Sequence, residues 1–347
     1  MPYATTSTSL RRHREKAMNK LVDRLVGARL KAILARRVRR EVDSQVRPMS
    51  ADLRAYLHTE LARQNAELTS LRSVTDELRE TLASAVRQGA NAQFTTQLIL
   101  GEGQRRSSRS VTRTRWRELA EEIKNLAGVD NPDWRMRQAL RTLVDHETRG
   151  LGRIAGSPYN IVGKLTTPTF LDPPEGPVLE IGALYGLFSA ALIKQFRQIG
   201  QFRRLTVIDP MAGHQVQSGR ENRPDFTGTP VTSQVARHNF SVCGFSEEDV
   251  RLIEGYSTDP TVQAQISGQR FAVVVVDGDH SEEGVYSDLC WVENVLAPGG
   301  IVVMDDFGDP AWAGVERATR RYLADGGRLE LLGQVATSAY LRGSSEA

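Results

Sequence analysis

Two short acidic runs hold the residues with the plainest chemistry. The stretch FAVVVVDGDH places Asp277, Asp279 and His280 directly after an apolar run, and IVVMDDF does the same with Asp305 and Asp306. A run that is apolar on both faces is what a central parallel strand needs. In open α/β sheets, ligands gather beyond the carboxyl ends of such strands. Four carboxylates and a histidine are therefore expected at one crevice, where like charges raise each other's pKa. A divalent cation is the simplest compensation. Hard oxygen donors favour Mg2+, Mn2+ or Ca2+ over zinc, and no Cys/His spacing competes for zinc. The alternative is a set of solvated turn caps, which the placement straight after long apolar runs disfavours.

Three other strand ends carry polar residues. VLEIGALYG ends a strand with Glu180 and a turn flanked by Gly182 and Gly186, where glycine permits a sharp bend and close approach to a ligand. The glycine spacing is neither a dinucleotide fingerprint nor a phosphate-binding P-loop. An uncharged or cationic nucleoside therefore suits it better than a pyrophosphate, although an ordinary strand–helix turn would read the same. TVIDP offers Asp209, either for the two hydroxyls of a ribose or as a turn cap. IEGYS offers Glu254, Gly255, Tyr256 and Ser257 for a purine, with Ser257 equally able to cap the next helix.

The elements that must position these residues begin at Pro177. Strands are expected at 178–181, 205–208, 250–253, 271–276, 301–304, 329–332 and 335–341, with helices fitting between the first five. This is an α/β class, a doubly wound, seven-stranded, mostly parallel sheet. Only Gly333-Gln334 separates the last two strands, which predicts an antiparallel hairpin turning there. Upstream, residues 116–176 read as a helical cap and entry segment, with helices over 116–126 and 134–146. Residues 101–115 (GEGQRRSSRSVTRTR) read as an Arg/Ser-rich linker.

Residues 1–100 differ in kind. A basic amphipathic helix is expected from Ala17 to about Pro48, with Leu25, Leu30, Ile33 and Leu34 on one face and arginines elsewhere. A second helix over about 50–88, capped by Ser50, carries leucines at 61, 68, 71, 78 and 82, a spacing near the coiled-coil period. The first 50 residues hold 13 Lys and Arg against 4 Asp and Glu; the remainder holds 32 against 38. A basic head on a mildly acidic body fits packing against the second helix and homo-oligomer formation, contact of residues 17–40 with an anionic membrane, or nucleic acid. Nucleic acid ranks last, because the arm lacks aromatics for base stacking. Two cysteines exclude a disulfide framework and favour a reducing cytoplasm, peripheral to a membrane at most. No apolar run reaches membrane-spanning length.

The motifs E-I-G-x-x-x-G, the acidic end of the second strand, D-G-D-H-S-x-E-G-V-x-x-D-L and L-x-P-G-G-x-I-V-x-x-D-D-F together resemble class I S-adenosylmethionine-dependent methyltransferases. The branch resembled holds macrolide-sugar O-methyltransferases and cephalosporin-hydroxylase-like proteins, and the likeness spans about residues 160–345. It implies that Gly182 and Gly186 admit the methionine part of S-adenosylmethionine, with Glu180 near its ammonium. Asp209 would hold the ribose, and Glu254, Gly255, Tyr256 and Ser257 would face the adenine. Asp277, Asp305 and Asp306 would bind a divalent metal, Mg2+ by preference, with Asp279 behind them. His280 would be the base, working with Asp277. The sequence departs from the branch in carrying Phe188 where a serine is usual, with Ser189 next to it, and in the bulky Leu184 and Tyr185.

The expected function is a metal-assisted O-methyltransferase acting on a sugar or glycan hydroxyl. The alternatives are a phenol or catechol acceptor, and a catalytically silent interaction module of the same fold. The loop over 210–232, with His214, Arg220 and Arg223, is the expected lid, and Trp312 a wall of the substrate pocket.

Overall fold

The computed structural model describes residues 16, 27, 29–45, 59–80, 109–216, 225 and 227–344. The chain divides into two compact units, Met1–Val86 and Arg87–Ala347.

In the first unit, α1 spans Arg29–Gln45. Its apolar Leu30, Ile33 and Leu34 are exposed. Residues 59–80 form a second helix, α2, whose Leu61, Leu71 and Leu78 are also exposed. The expected cap Ser50 and Leu82 lie outside the described residues.

The second unit is built on a seven-stranded sheet of order β3-β2-β1-β4-β5-β7-β6. Its strands are β1 (Val178–Ile181), β2 (Leu205–Asp209), β3 (Val250–Glu254), β4 (Phe271–Val276), β5 (Leu296–Met304), β6 (Leu329–Val335) and β7 (Ser338–Gly343). The first five are parallel, and β7 runs antiparallel to both β5 and β6. The strand order reverses at β1, so a crevice opens between the carboxyl ends of β1 and β4.

Side chains alternate between two apolar layers, as the pleat requires. Val273, Val275, Ile301 and Val303 face one layer. It is covered by α3 (Arg113–Ala127), α4 (Asp133–Arg149), α5 (Pro158–Thr166), α6 (Leu187–Gln198) and α7 (Ser233–Val242). Val274, Val276, Val302 and Met304 face the other. There α8 (Pro260–Ala264), α9 (Glu282–Val295) and α10 (Ala313–Ala324) pack.

Two expectations change in detail. The hairpin turns at Ala336-Thr337, since β6 runs through Gly333-Gln334 and Val335 pairs with Ser338. Gly333 has turn chemistry but serves a register shift within the strand, at φ +147, where a Cβ would strike Leu126. The ordered domain also reaches into the segment read as a linker. α3 starts at Arg113, and Arg109 is buried with its guanidinium on Glu147 at 2.8 Å and on the carbonyls of Ile154 and Gly156. That segment lacks apolar periodicity because a buried ion pair, not a row of apolar side chains, anchors it.

Candidate active site

A cavity of 220 Å³ crosses the carboxyl ends of β3, β2, β1 and β4. Its wall includes Tyr256 and Ser257 after β3, Asp209 after β2, Glu180 and Gly182 at β1, and Asp277 and Asp279 after β4. Lys164, Phe188, His214 and Asp288 complete much of the lining.

Glu180 faces α5 and α6, because it alternates with Leu179 and Ile181, which face the other layer. Ser189 donates a hydrogen bond to it. Burial pushes the Glu180 carboxyl up to about 8, against the pull of the Lys164 ammonium. Gly182 adopts φ +82, and a Cβ there would lie 2.2 Å from the Asp277 carbonyl oxygen. Glycine is thus required for the β1 loop to close on the end of β4. Gly186 has a different duty. It starts α6 at φ +72 against the Phe240 ring and does not line the cavity.

Asp209 secures the same loop. Its Oδ2 accepts from the backbone N–H groups of Ala183 and Leu184, and its Oδ1 from that of Met211. Leu184 and Met211 both sit at positive φ, a cost that these bonds offset. A carboxylate has about four acceptor positions, so one remains for a hydroxyl from the cavity. Burial raises the Asp209 carboxyl despite the three bonds.

At the β3 end, Ser257 donates to Asp288 at 2.5 Å, while Tyr256 is exposed. Glu254 is exposed and lies outside the lining, unlike Gly255, Tyr256 and Ser257. Asp288 is a site residue that sequence reasoning missed, although it is the last D of D-G-D-H-S-x-E-G-V-x-x-D-L. Burial pushes its carboxyl up to about 6.

The acidic edge is assembled from three elements. Asp277, His280 and Asp306 each offer one ligand atom, and these atoms lie within 4.8 Å of one another. His280 Nε2 is 2.8 Å from Asp306 Oδ2 and 3.7 Å from Asp277 Oδ1. The Trp312 ring packs on the imidazole with centroids 4.4 Å apart. His280 Nδ1 is buried with no hydrogen-bond partner among the described residues. The two carboxylates fit a hard divalent cation that takes its other ligands from water or substrate, which leaves the imidazole free to act as a base beside it. Asp279 stands behind, accepting from the Ser281 backbone N–H and hydroxyl at the start of α9.

Asp305 is brought to the same edge but turned elsewhere. It receives hydrogen bonds from the Lys164 ammonium, the Asn160 amide and the Ser338 hydroxyl. Lys164 also reaches Asp277 Oδ2 at 3.2 Å. Burial alone would raise both carboxyls. It does so for Asp277, with Asp305 beside it, whereas Lys164 holds Asp305 below the usual carboxylate range. Lys164, Asn160 and Ser338 were not foreseen. Asn160 and Lys164 sit four apart on α5, so they share one helix face among apolar neighbours.

The base of the 210–232 loop is closed by a bridge between Gly213 and Val231. Tyr185 donates to the Thr229 carbonyl and Arg153 pairs with Asp225 at 2.9 Å. Arg220 and Arg223 lie outside the described residues.

The sheet order and the acid-lined crevice define a Rossmann-like class I methyltransferase fold. Residues 179–307 match the family Methyltransf_24, described as a methyltransferase domain. Similar solved structures include that of the O-methyltransferase NovP, at 18% identity, covering 66% of this chain and 99% of that one, with a TM-score of 0.44. They also include the calicheamicin methyltransferase CalS11, at 19% identity, 65% and 91% coverage and a TM-score of 0.43. An O-methyltransferase from Bacillus cereus in complex with SAH is similar at 14% identity, 65% and 96% coverage and a TM-score of 0.39. No curated protein matches the chain.

Proposed function

We propose that this protein transfers a methyl group from S-adenosylmethionine to a hydroxyl of a sugar or glycan, with a divalent cation, Mg2+ by preference, at the acidic edge. The observation that carries the reading is the meeting of the nucleoside-sized cavity with the Asp277–His280–Asp306 cluster. When bound, the cofactor supplies an electrophilic methyl on a cationic sulfur, and the cation supplies Lewis acidity towards the acceptor oxygen.

The chain's own residues do the rest. Glu180 offers a buried carboxylate to an ammonium, and Asp209 keeps one acceptor position for a ribose hydroxyl. Ser257 and Asp288 supply a hydroxyl and a carboxyl to a base edge. Asp277 and Asp306 hold the cation. His280, fixed by Asp306 and the Trp312 ring, takes the acceptor proton at Nε2. Phe188 and Trp312 shield the transfer from water.

Calorimetry with S-adenosylhomocysteine, followed by turnover assays on nucleotide sugars and on catechols with and without EDTA, tests this. Cofactor binding and EDTA-sensitive methylation of a sugar are expected. Turnover of catechols alone would replace the acceptor, and full activity in EDTA would remove the metal.

The reading places the protein in the cytoplasm. No described helix is long and apolar enough to cross a membrane. The exposed leucines of α2 support self-association, and the basic α1 supports peripheral contact with anionic lipid.

A further inference from the structure

We infer that Lys164 is a built-in cation of the acidic edge, which takes Asp305 out of the ligand set and leaves Asp277 and Asp306 to hold the divalent ion. The inference rests on the metal-assisted reading above and specifies how that site is made.

Both oxygens of Asp305 are already engaged. Oδ2 receives the Lys164 ammonium; Oδ1 receives the Asn160 amide at 2.7 Å and the Ser338 hydroxyl at 3.0 Å. The residue is 7% exposed and, unlike Asp277, does not line the cavity. Its neighbour goes the other way. Asp306 sits at φ +58, in the left-handed region that aspartate tolerates better than most residues. Two consecutive aspartates thereby diverge, one to Lys164 and one to His280 Nε2. Asp277 is shared between the two groups, with Oδ2 on Lys164 at 3.2 Å and Oδ1 on the His280 side at 3.7 Å.

Lys164 cannot leave for water. It is 1% exposed, and its ammonium lies 4.6 Å from the centre of the Phe188 ring. With Asp277 ionised, as ligation of a cation requires, three carboxylates and one ammonium leave two negative charges, which one divalent ion balances. Without Lys164 the same edge would carry three, and Asp305 would be released towards the crevice. A buried cation paired on two sides is therefore part of the site's charge design, fixed in place by α5 and β7.

The test uses the full chain and Mn2+ alone, titrated by calorimetry and by the electron paramagnetic resonance of the free ion. Lys164→Met is expected to bind Mn2+ about tenfold more tightly, because a nearby positive charge is removed. Asp277→Asn, which loses a ligand, is expected to bind at least about thirtyfold more weakly. The deciding variant is the double Lys164→Met/Asp305→Asn, which conserves net charge and strands no buried ion. It is expected to bind within about threefold of wild type, the two effects cancelling through their shared contact.

S-adenosylhomocysteine calorimetry on each variant reports that the domain is folded. A double variant as weak as Asp277→Asn, or a Lys164→Met variant weaker than wild type, overturns the inference while leaving the metal centre standing. Wild type that binds S-adenosylhomocysteine but no Mn2+ overturns both. If Lys164→Met alone does not fold, the double variant decides.

Discussion

His280 is held between a carboxylate and an indole, with its Nε2 at the acidic edge. If it takes the acceptor proton, His280→Ala lowers kcat by about 10²–10⁴-fold, the usual contribution of a positioned base. S-adenosylhomocysteine affinity, measured by calorimetry, is expected to stay at the wild-type level; an unchanged kcat would make the residue structural. Glu180 gives a second prediction at this scale. Its carboxyl, raised by burial to about 8 from 4.5, is largely neutral near pH 6.5 and ionises as pH rises through 8. A cationic ammonium favours the ionised form, so cofactor affinity should climb between pH 6.5 and 8.5 and then level off. Glu180→Gln should flatten that profile. The sign for folding is opposite. The folded state without ligand holds this proton more tightly than the unfolded chain, so its stability falls as pH rises from 4.5 through 8.

At the scale of elements, the site depends on how α4 and α5 reach the sheet. Arg109 pairs with Glu147 of α4 and also binds the carbonyl of Ile154, which lines the cavity. Glu147 accepts the Ile154 backbone N–H as well. Breaking one side of a buried pair costs about 3–5 kcal/mol, because the partner charge is left uncompensated. Glu147→Ala should therefore lower stability by that amount in urea unfolding and weaken cofactor binding. Arg109→Met/Glu147→Leu should recover most of the stability.

The strands themselves were legible. FAVVVV, VLEI and IVVM are too apolar for one-sided burial, and their carboxyl ends name Glu180, Asp277 and Asp305 directly. Lys164 was not, because it meets Asp277 from 113 residues away on a separate helix, and nothing in the spacing of the acidic motifs points to it. The hairpin was legible as a hairpin but not in its turn, since Gly333 serves a register shift and the chain bends at Ala336.

At the scale of the molecule, the two units make different demands. In the first, Leu71 and Leu78 are more than half exposed on a helix whose other exposed positions are largely polar. If they form an interface between copies, Leu71→Glu/Leu78→Glu should reduce the mass measured by sedimentation while cofactor affinity is unchanged. If α1 meets anionic lipid, co-sedimentation with phosphatidylserine vesicles should be lost at high salt. Retention at 1 M salt would exclude an electrostatic contact. The arm's period and charge were readable from sequence, but what covers its leucines was not, because one chain's pattern does not name its partner.

The order of the last two strands has a consequence for biosynthesis. β7 follows β6 in the chain yet lies inside it in the sheet, between β5 and β6. While the polypeptide is emerging, β6 has nothing to join, and one edge of β5 stays bare until β7 arrives between them. That edge carries the apolar IVVM run, and unpaired strand edges invite association with other chains. Ser338, which helps hold Asp305, travels on the same late strand. The nascent protein therefore passes through a stage at which its sheet is sticky and its acidic edge unfinished, and it is released from both by a single docking event.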